Sequence, residues 1–260
     1  MSRSAGAKAN TNIKTKTKAK TKPRFPMTVK AFFADPDRYL NLGDILLSRS
    51  PTLASRLIRL FSGHFFSHAA VIFLLPQGRE HFSHTFVIES LFKGVGIANF
   101  ETYVGGRTPL EEVGILRLEG QEFSRDFFKR ANGTLLNEVN KPYDFHRLWR
   151  MAFATVFGLQ RILQRMQTTP HEFRRWYPRQ FICSGFIQYG FYQAAKSNRI
   201  RTARVIIKNG LDNPTTDQMM GTTPEDVATS DKLKWKFVIR RGWVYEAASY
   251  EDAKRIISGV

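Results

Sequence analysis

The chain contains a single cysteine, and its place in the sequence makes it the first candidate for chemistry. Cys183 lies in the stretch RQFICSGFIQYGFYQAA, residues 179–195, where an apolar helix is predicted to begin. A helix N-terminus lowers the pKa of a thiol, and its free N–H groups can stabilise an oxyanion. Cys183 is therefore a candidate nucleophile. Free cysteines are also often simply buried, so a structural role in the core stays open.

A cysteine nucleophile needs a base, normally a histidine that a third polar group orients. Among the six histidines, His68 differs because it begins the apolar stretch HAAVIFLL, a predicted strand that would fix the direction of the imidazole. The next predicted strand, TFVIESL, carries Glu89 among apolar residues, and a buried acid is costly unless it is paired. We therefore predict a His68–Glu89 pair. For His68 or Glu89 taken alone, a solvent-exposed position is the alternative interpretation.

The order of several short motifs resembles that of a known family. The chain presents GDIL, then SH before an apolar strand, then VIES, YDF, CS at a helix start and TTPEDVATS. This order resembles the permuted papain-like cysteine hydrolases of the NlpC superfamily, specifically the YiiX-like group, whose relatives include lecithin retinol acyltransferase. His68 precedes Cys183, which is the order of the circularly permuted branch. The resemblance covers roughly residues 40–245.

The resemblance implies a role for each of the three residues. Cys183 resembles the nucleophile, His68 the general base and Glu89 the residue that orients the histidine. The reaction implied is acyl transfer: the thiolate attacks an amide or ester carbonyl, and water or another acceptor resolves the thioester. No cofactor is implied.

The resemblance also implies residues around the substrate cleft. Tyr143 and Asp144 match the YDF motif near the cleft, and Ser184 is a further cleft candidate beside the cysteine. The Gly-Asp turn at 43–44 matches the start of the first strand, where a structural role is expected. One position departs from the family: relatives often carry an acid two residues after the cysteine, and this chain has Gly185 there.

The elements predicted from the sequence favour an α+β fold. Strands are predicted within 40–49, 67–76, 85–92, 113–120 and, as a pair, 234–246, without regular βαβ alternation. Helices are predicted from Ser124, interrupted or ended near Gly133, and from Thr223, with Pro224 at the first helical position. With the resemblance, this predicts a circularly permuted papain-like fold, in which an antiparallel sheet packs against the cysteine-bearing helix.

Two segments are expected to lie outside this core. Residues 1–30 carry nine of the 40 Lys and Arg residues and no acid, which leaves +9 of the formal net charge of +18 on residues 31–260. We interpret 1–30 as a disordered basic arm that attracts anionic partners, although a solubilising tail or a true start at Met27 stays open. The catalytic domain is then 31–260.

The second segment is a predicted helical insertion at about 146–178. Residues 146–166 form a basic amphipathic pattern, and their apolar run at 151–159 is too short to span a bilayer. Packing on the core is one interpretation, and a lid or wall of the substrate cleft is the other. The insertion and the positive charge favour an acylated or lipid-like substrate.

Three functions follow from these observations. The leading hypothesis is a cysteine hydrolase or acyltransferase that acts on a small-molecule, lipid or peptide substrate. The alternatives are a peptidoglycan peptidase or amidase, and a catalytically silent module that binds anionic lipid. Nucleic acid is not expected as a partner because no recognition motif is present. A metal site is not expected because one cysteine and scattered histidines lack ligand spacing.

The cellular location is predicted from two absences in the sequence. One cysteine excludes an internal disulfide and suits a reducing compartment, and the N-terminus has no apolar secretory segment. We expect a cytoplasmic protein, with peripheral association to an anionic membrane surface left open.

Overall fold

The computed structural model describes residues 25–51, 55–56, 59–60, 63–76, 84–91, 93–105, 112–141, 182–211 and 214–259. These residues build one eight-stranded sheet with helices on both faces. Every pair of neighbouring strands is antiparallel. The order across the sheet is β1-β8-β7-β6-β2-β3-β4-β5. The strands are β1 Met27–Thr28, β2 Ile45–Arg49, β3 His68–Leu74, β4 Phe86–Leu91, β5 Gly94–Asn99, β6 Glu112–Leu118, β7 Leu233–Arg240 and β8 Trp243–Glu246.

Seven helices and two 3-10 turns accompany the strands in the described part of the chain. The 3-10 turns are Pro36–Arg38 and Thr202–Arg204. The helices are α1 Val29–Phe33, α2 Phe100–Gly105, α3 Arg125–Leu136, α4 Cys183–Ser197, α5 Thr216–Met220, α6 Pro224–Ala228 and α7 Tyr250–Ser258.

Two apolar cores lie on opposite faces of the sheet, as the alternation of side chains along a strand requires. One core joins Ala69 and Val71 of β3 to α3, α4 and α7. The other joins Ala70 and Ile72 of the same strand to α1 and α2. Helix α4, which carries the cysteine, therefore packs on β3 with a fixed face toward the sheet.

Helices α3 and α4 approach each other closely because of a glycine. A Cβ atom at Gly190 would lie 2.6 Å from Cδ2 of Leu135, which is closer than real Cβ contacts. Glycine at this position lets α4 lie against α3. This packing holds the axis of α4, and with it the position of Cys183.

Most predicted elements are confirmed. The strands at 45–49, 68–74, 86–91 and 112–118, the β7–β8 hairpin and the Cys183 helix are all present. Thr223 caps α6 through a reciprocal pair of bonds with Asp226. Helix α3 differs from the prediction because it continues through Gly133, whose missing side chain faces open space. Strand β5 and helix α7 were not predicted.

The predicted domain limits need one correction at the N-terminus. Met27 and Thr28 pair with β8, and the Phe25 ring lies 5.3 Å from that of Phe237. The folded domain therefore includes residues 25–30, because their backbone and side chains complete the sheet edge and the second core. The rest of the predicted basic arm, residues 1–24, and the predicted insertion at 146–178 lie outside the described residues.

The Gly-Asp turn before β2 has a structural role. Gly43 has φ +83°, and a Cβ atom there would lie 2.0 Å from Cδ1 of Phe128. Asp44 is fully buried, and its two carboxylate oxygens accept bonds from Nε and Nη2 of Arg117, each at 2.7 Å. The turn and this ion pair join the start of β2 to β6.

Candidate active site

The pairing of β3 with β4 brings a histidine and a glutamate together. Ala70 lies opposite Glu89, so His68, two residues before Ala70, is a diagonal neighbour of the carboxylate. The distance between His68 Nε2 and Glu89 Oε2 is 2.6 Å. The side chain of Glu89 is 2% exposed and that of His68 is 16% exposed. The carboxylate therefore orients the imidazole in a site that is nearly closed to water.

The thiol of Cys183 forms a hydrogen bond with the same imidazole. Cys183 is the first residue of α4 and is 5% exposed. Because Glu89 engages Nε2 of His68, Nδ1 is the ring nitrogen left for the thiol. Cysteine, histidine and glutamate thus form a chain of the kind that activates a nucleophile.

Burial and pairing act in opposite directions on the two titratable groups. Burial by itself lowers the pKa of His68, but the hydrogen bonds and negative charges of Cys183 and Glu89 outweigh it and raise this pKa to about 10. Burial by itself raises the pKa of Cys183, and the bond and charge of His68 outweigh it, so the thiol pKa is lowered. The favoured state at neutral pH is therefore a thiolate beside an imidazolium.

Two backbone N–H groups add to the stabilisation of the thiolate. Those of Ala69, which follows the histidine, and Ser184, which follows the cysteine, both bond to the sulfur and lower the Cys183 pKa. The N–H of Ser184 belongs to the first turn of α4, where N–H groups have no partner within the helix. Donors of this kind can also stabilise a developing oxyanion near the sulfur.

The N-terminus of α4 is held by the segment that precedes α6. Ser184 is fully buried, and its hydroxyl donates to the carbonyl of Thr222 at 2.6 Å. A Cβ atom at Gly185 would lie 2.4 Å from the carbonyl oxygen of Met220. The backbone of Met220 thus occupies the space beside Gly185, the position where relatives often carry an acid. An acidic side chain does not fit here unless α5 moves.

The start of β3 is held in a similar way by hydroxyl groups. The N–H of Ser67 donates to the carbonyl of Ser48, and its hydroxyl lies 2.6 Å from the hydroxyl of Ser55. Ser48 is also the residue of β2 that pairs with His68. The backbone around the histidine is therefore tied to both β2 and the helical residues 55–56.

The structure brings Cys183, His68 and Glu89 together, as the sequence predicts. Ser184 lies beside them, but its hydroxyl is engaged with Thr222, so contact between this side chain and a substrate stays a prediction. Tyr143 and Asp144 lie outside the described residues, and their role in the cleft also stays a prediction.

Sequence reasoning missed the backbone donors and the Met220–Thr222 segment that positions the helix. The Thr-Thr-Pro motif was the available signal for that segment.

The described residues offer neither a cluster of metal ligands nor a membrane-spanning helix. Among these residues, no group of three or more His, Cys, Asp and Glu side chains could hold a metal ion. Within the same ranges, no helix is long and apolar enough to cross a membrane.

Comparison with known proteins supports the resemblance. Residues 39–152 match the family described as permuted papain-like amidase enzymes, YaeF/YiiX, C92 family. A crystal structure of metalloprotein YiiX from Escherichia coli O157:H7 is 16% identical, with a TM-score of 0.44, and the alignment covers 75% of this chain and 95% of that chain. No curated protein sequence matches the chain.

The family match contains two of the three candidate catalytic residues. His68 and Glu89 lie within residues 39–152, whereas Cys183 lies beyond them and reaches the histidine through the packing of α4 on β3. The antiparallel sheet, the helices on its faces and the order of histidine before cysteine agree with the matched family. The match over residues 39–152 supports a YiiX-like permuted papain-like fold and a cysteine-hydrolase-type function.

Proposed function

We propose that this protein cleaves an amide or ester bond through a thioester on Cys183. The observation that carries the proposal is the hydrogen-bonded chain Cys183–His68–Glu89, buried at the start of a helix, with the N–H groups of Ser184 and Ala69 bonded to the sulfur. A structural cysteine needs neither a paired histidine nor N–H donors to its sulfur. The arrangement is the one that nucleophilic catalysis requires.

In the proposed first half-reaction, the thiolate of Cys183 attacks the carbonyl carbon. The carbonyl oxygen takes the negative charge, and N–H groups at the start of α4, including that of Ser184, are placed to stabilise it. His68, protonated next to the thiolate, gives its proton to the departing amine or alcohol as the carbon–heteroatom bond breaks. The products are the free leaving group and an acyl thioester on Cys183.

In the proposed second half-reaction, neutral His68 takes a proton from water or an acceptor alcohol. The oxygen attacks the thioester carbonyl, the carbon–sulfur bond breaks, and the thiolate–imidazolium pair returns. Glu89 keeps the imidazole in one orientation through both halves. Water as the acceptor makes the protein a hydrolase, and an alcohol or amine makes it an acyltransferase.

The substrate class is proposed from the description of the matched family and from the charge of the sequence. The matched family is described as amidases, which makes an amide the first bond to test. An acylated or lipid-like substrate is favoured by the basic segments of the sequence, while a cell-wall peptide is the second candidate. A silent module that binds anionic lipid is a third candidate, and it predicts an unreactive Cys183.

The proposal is tested by trapping the thioester. Wild-type protein is mixed with a panel of acyl amides and activated acyl esters, and intact-protein mass spectrometry is recorded during turnover. We expect an acyl adduct on Cys183 and turnover in the wild type, and neither in Cys183→Ser. Turnover that persists in Cys183→Ser, or an absence of adduct and turnover with every compound, contradicts the proposal.

A further inference from the structure

A cavity of about 430 Å³ lies between the end of β2, the helical residues 55–56 and 59–60, and the β7–β8 hairpin. Its lining includes four arginines and one acid: Arg49, Arg56, Arg59, Arg241 and Glu112. Four guanidinium groups around one carboxylate leave a formal excess of three positive charges, because arginine stays protonated at any ordinary pH. Such an excess inside a concave site favours an anionic ligand.

The cavity lies at the same end of the sheet as the catalytic residues. Ser48 pairs with His68, and the next residue of β2, Arg49, pairs with Glu112 at the start of β6. Arg241 follows the end of β7, which pairs with β6. Since neighbouring strands are about 5 Å apart and consecutive Cα atoms about 3.8 Å apart, the Cα atom of Arg49 lies within about 10 Å of that of His68.

Among the described residues, only one of the four arginines of the cavity is paired with an acid. Arg49 reaches Glu112 only at 3.4 Å, and Arg59 donates to the carbonyl of Ser50 and the hydroxyl of Ser55. Within the described ranges, Arg56 and Arg241 form no ion pair with an acid. The pKa of Arg59 is lowered, first by burial and then by the positive charges of Arg49 and Arg56, which agrees with an excess of cations.

The backbone brings Arg241 to the cavity at a conformational cost. Arg241 and Gly242 form the two-residue hairpin turn with φ values of 48° and 80°. Asn, Asp and Gly are the residues favoured at positive φ in such turns, and arginine is not. The long cationic side chain of Arg241 therefore occupies a turn position where Asn, Asp or Gly is usual.

We propose that this cavity binds a phosphate group of the molecule on which Cys183 acts. That the phosphate belongs to the substrate of Cys183 rests on the proposed function. The binding of phosphate by the cavity does not depend on it. Guanidinium groups bind phosphate through paired N–H donors, and a doubly charged phosphate suits the excess of three positive charges better than a carboxylate does. Glu112 would hold Arg49 in place.

A second cavity offers a matched control. It has a volume of about 280 Å³ and is also lined by basic residues, among them Arg201 and Lys234. It lies at the far end of β6, beside Leu118, whereas the first cavity lies beside Glu112. Acids of its own lining, Glu119 and Asp231, balance more of its charge. Removing two cations there changes the net charge by the same amount without touching the first cavity.

The test measures binding of two phosphate sources to the full chain. Inorganic phosphate is titrated in a calorimeter at constant ionic strength, and vesicles of phosphatidylcholine with and without phosphatidic acid are used in sedimentation. The variant is Arg56→Ala with Arg241→Asn, because asparagine tolerates positive φ. The control is Arg201→Ala with Lys234→Ala. Thermal unfolding of each protein verifies that it folds.

We expect inorganic phosphate to bind the wild type, at least tenfold weaker binding in the cavity variant, and a change below twofold in the control. Phosphatidic acid vesicles that show the same loss identify a lipid headgroup as the source, and a loss confined to inorganic phosphate identifies a soluble phosphoester. No phosphate binding from either source, or equal binding in the cavity variant and the wild type, overturns the proposal.

The link to Cys183 has a separate readout. Iodoacetate and iodoacetamide alkylate the same thiol but differ by one negative charge. At low ionic strength, two cations about 10 Å away should favour the anion roughly two- to fourfold. We expect the iodoacetate-to-iodoacetamide rate ratio to fall in the cavity variant and on addition of phosphate, and to stay unchanged in the control. An unchanged ratio overturns the link, whereas a slow rate with both reagents is a failure of the proposed function.

Discussion

The sheet holds two buried charged clusters, and they differ in what their charges can do. Asp44 and Arg117 join β2 to β6 through two bonds of 2.7 Å, and the carboxylate also accepts the N–H of Asn41. His68 and Glu89 join β3 to β4 through one bond of 2.6 Å. The second cluster has a third member, Cys183, which the first cluster lacks.

The difference lies in whether the proton can move. An arginine does not lose its proton at ordinary pH, so Arg117 cannot pass a proton to Asp44, and the role of this pair is to hold the fold. In the other cluster a proton can pass between a thiol and an imidazole that are already in contact. A buried ion pair is thus a candidate active site when one of its partners also contacts a third, titratable group.

Breaking the structural pair should have the largest effect on stability. In Asp44→Asn, Arg117 is left without its buried counter-charge, and we expect the free energy of unfolding to fall by about 3–5 kcal/mol. Chemical denaturation measures this loss. Glu119→Gln, which removes the half-exposed partner of Lys236, is the control and should cost less than about 1 kcal/mol. Equal losses in the two variants would contradict a special role for the buried pair.

Breaking the His68–Glu89 pair should instead have its main effect on the reactivity of Cys183. Glu89→Gln keeps a side chain of the same shape but removes the charge that helps raise the pKa of His68. We expect alkylation of Cys183 at pH 7 to slow by about 10- to 100-fold, the range seen when a group that orients a ligand or base is lost. The rate of iodoacetamide labelling measures it. Folded Asp44→Asn should label at nearly the wild-type rate. Labelling as slow as that of Glu89→Gln would contradict the distinction between the two clusters.

The smallest expected effect concerns the residue beside the nucleophile. Ser184→Ala removes the bond to the Thr222 carbonyl, and we expect a loss of about 1 kcal/mol in the free energy of unfolding. If the hydroxyl serves only to position α4, the variant should lower kcat with little change in KM. A selective rise in KM would show instead that Ser184 contacts the substrate, as the sequence analysis predicted.

Local patterns explain why the catalytic residues could be predicted. His68 and Glu89 stand at recognisable places in two apolar strands, and Cys183 begins an apolar helix. Strand β5 escaped prediction because Gly94 and Gly96 interrupt its pattern and its Ile97 is exposed. Elements with a regular apolar pattern can be predicted from the sequence, whereas an edge strand rich in glycine lacks such a pattern.

Contacts between distant segments could not be predicted from local patterns. The placement of β6 between β2 and β7 depends on the packing of the whole sheet, and so does the approach of Arg241 to Arg49 and Arg56. The same holds for the Met220 carbonyl that closes the position of Gly185. These features arise from tertiary packing, and only the three-dimensional arrangement reveals them.

The central claim is that His68 keeps Cys183 as a thiolate, and labelling against pH tests it most directly. In the wild type, the iodoacetamide rate should rise with a midpoint well below about 8.5, the ordinary thiol pKa. It should then stay high at every higher pH, because loss of the His68 proton near pH 10 leaves the sulfur as a thiolate. In His68→Ala the imidazolium is gone and burial raises the thiol pKa, so the midpoint should move above about 8.5. A midpoint at or above about 8.5 in both proteins would contradict the account.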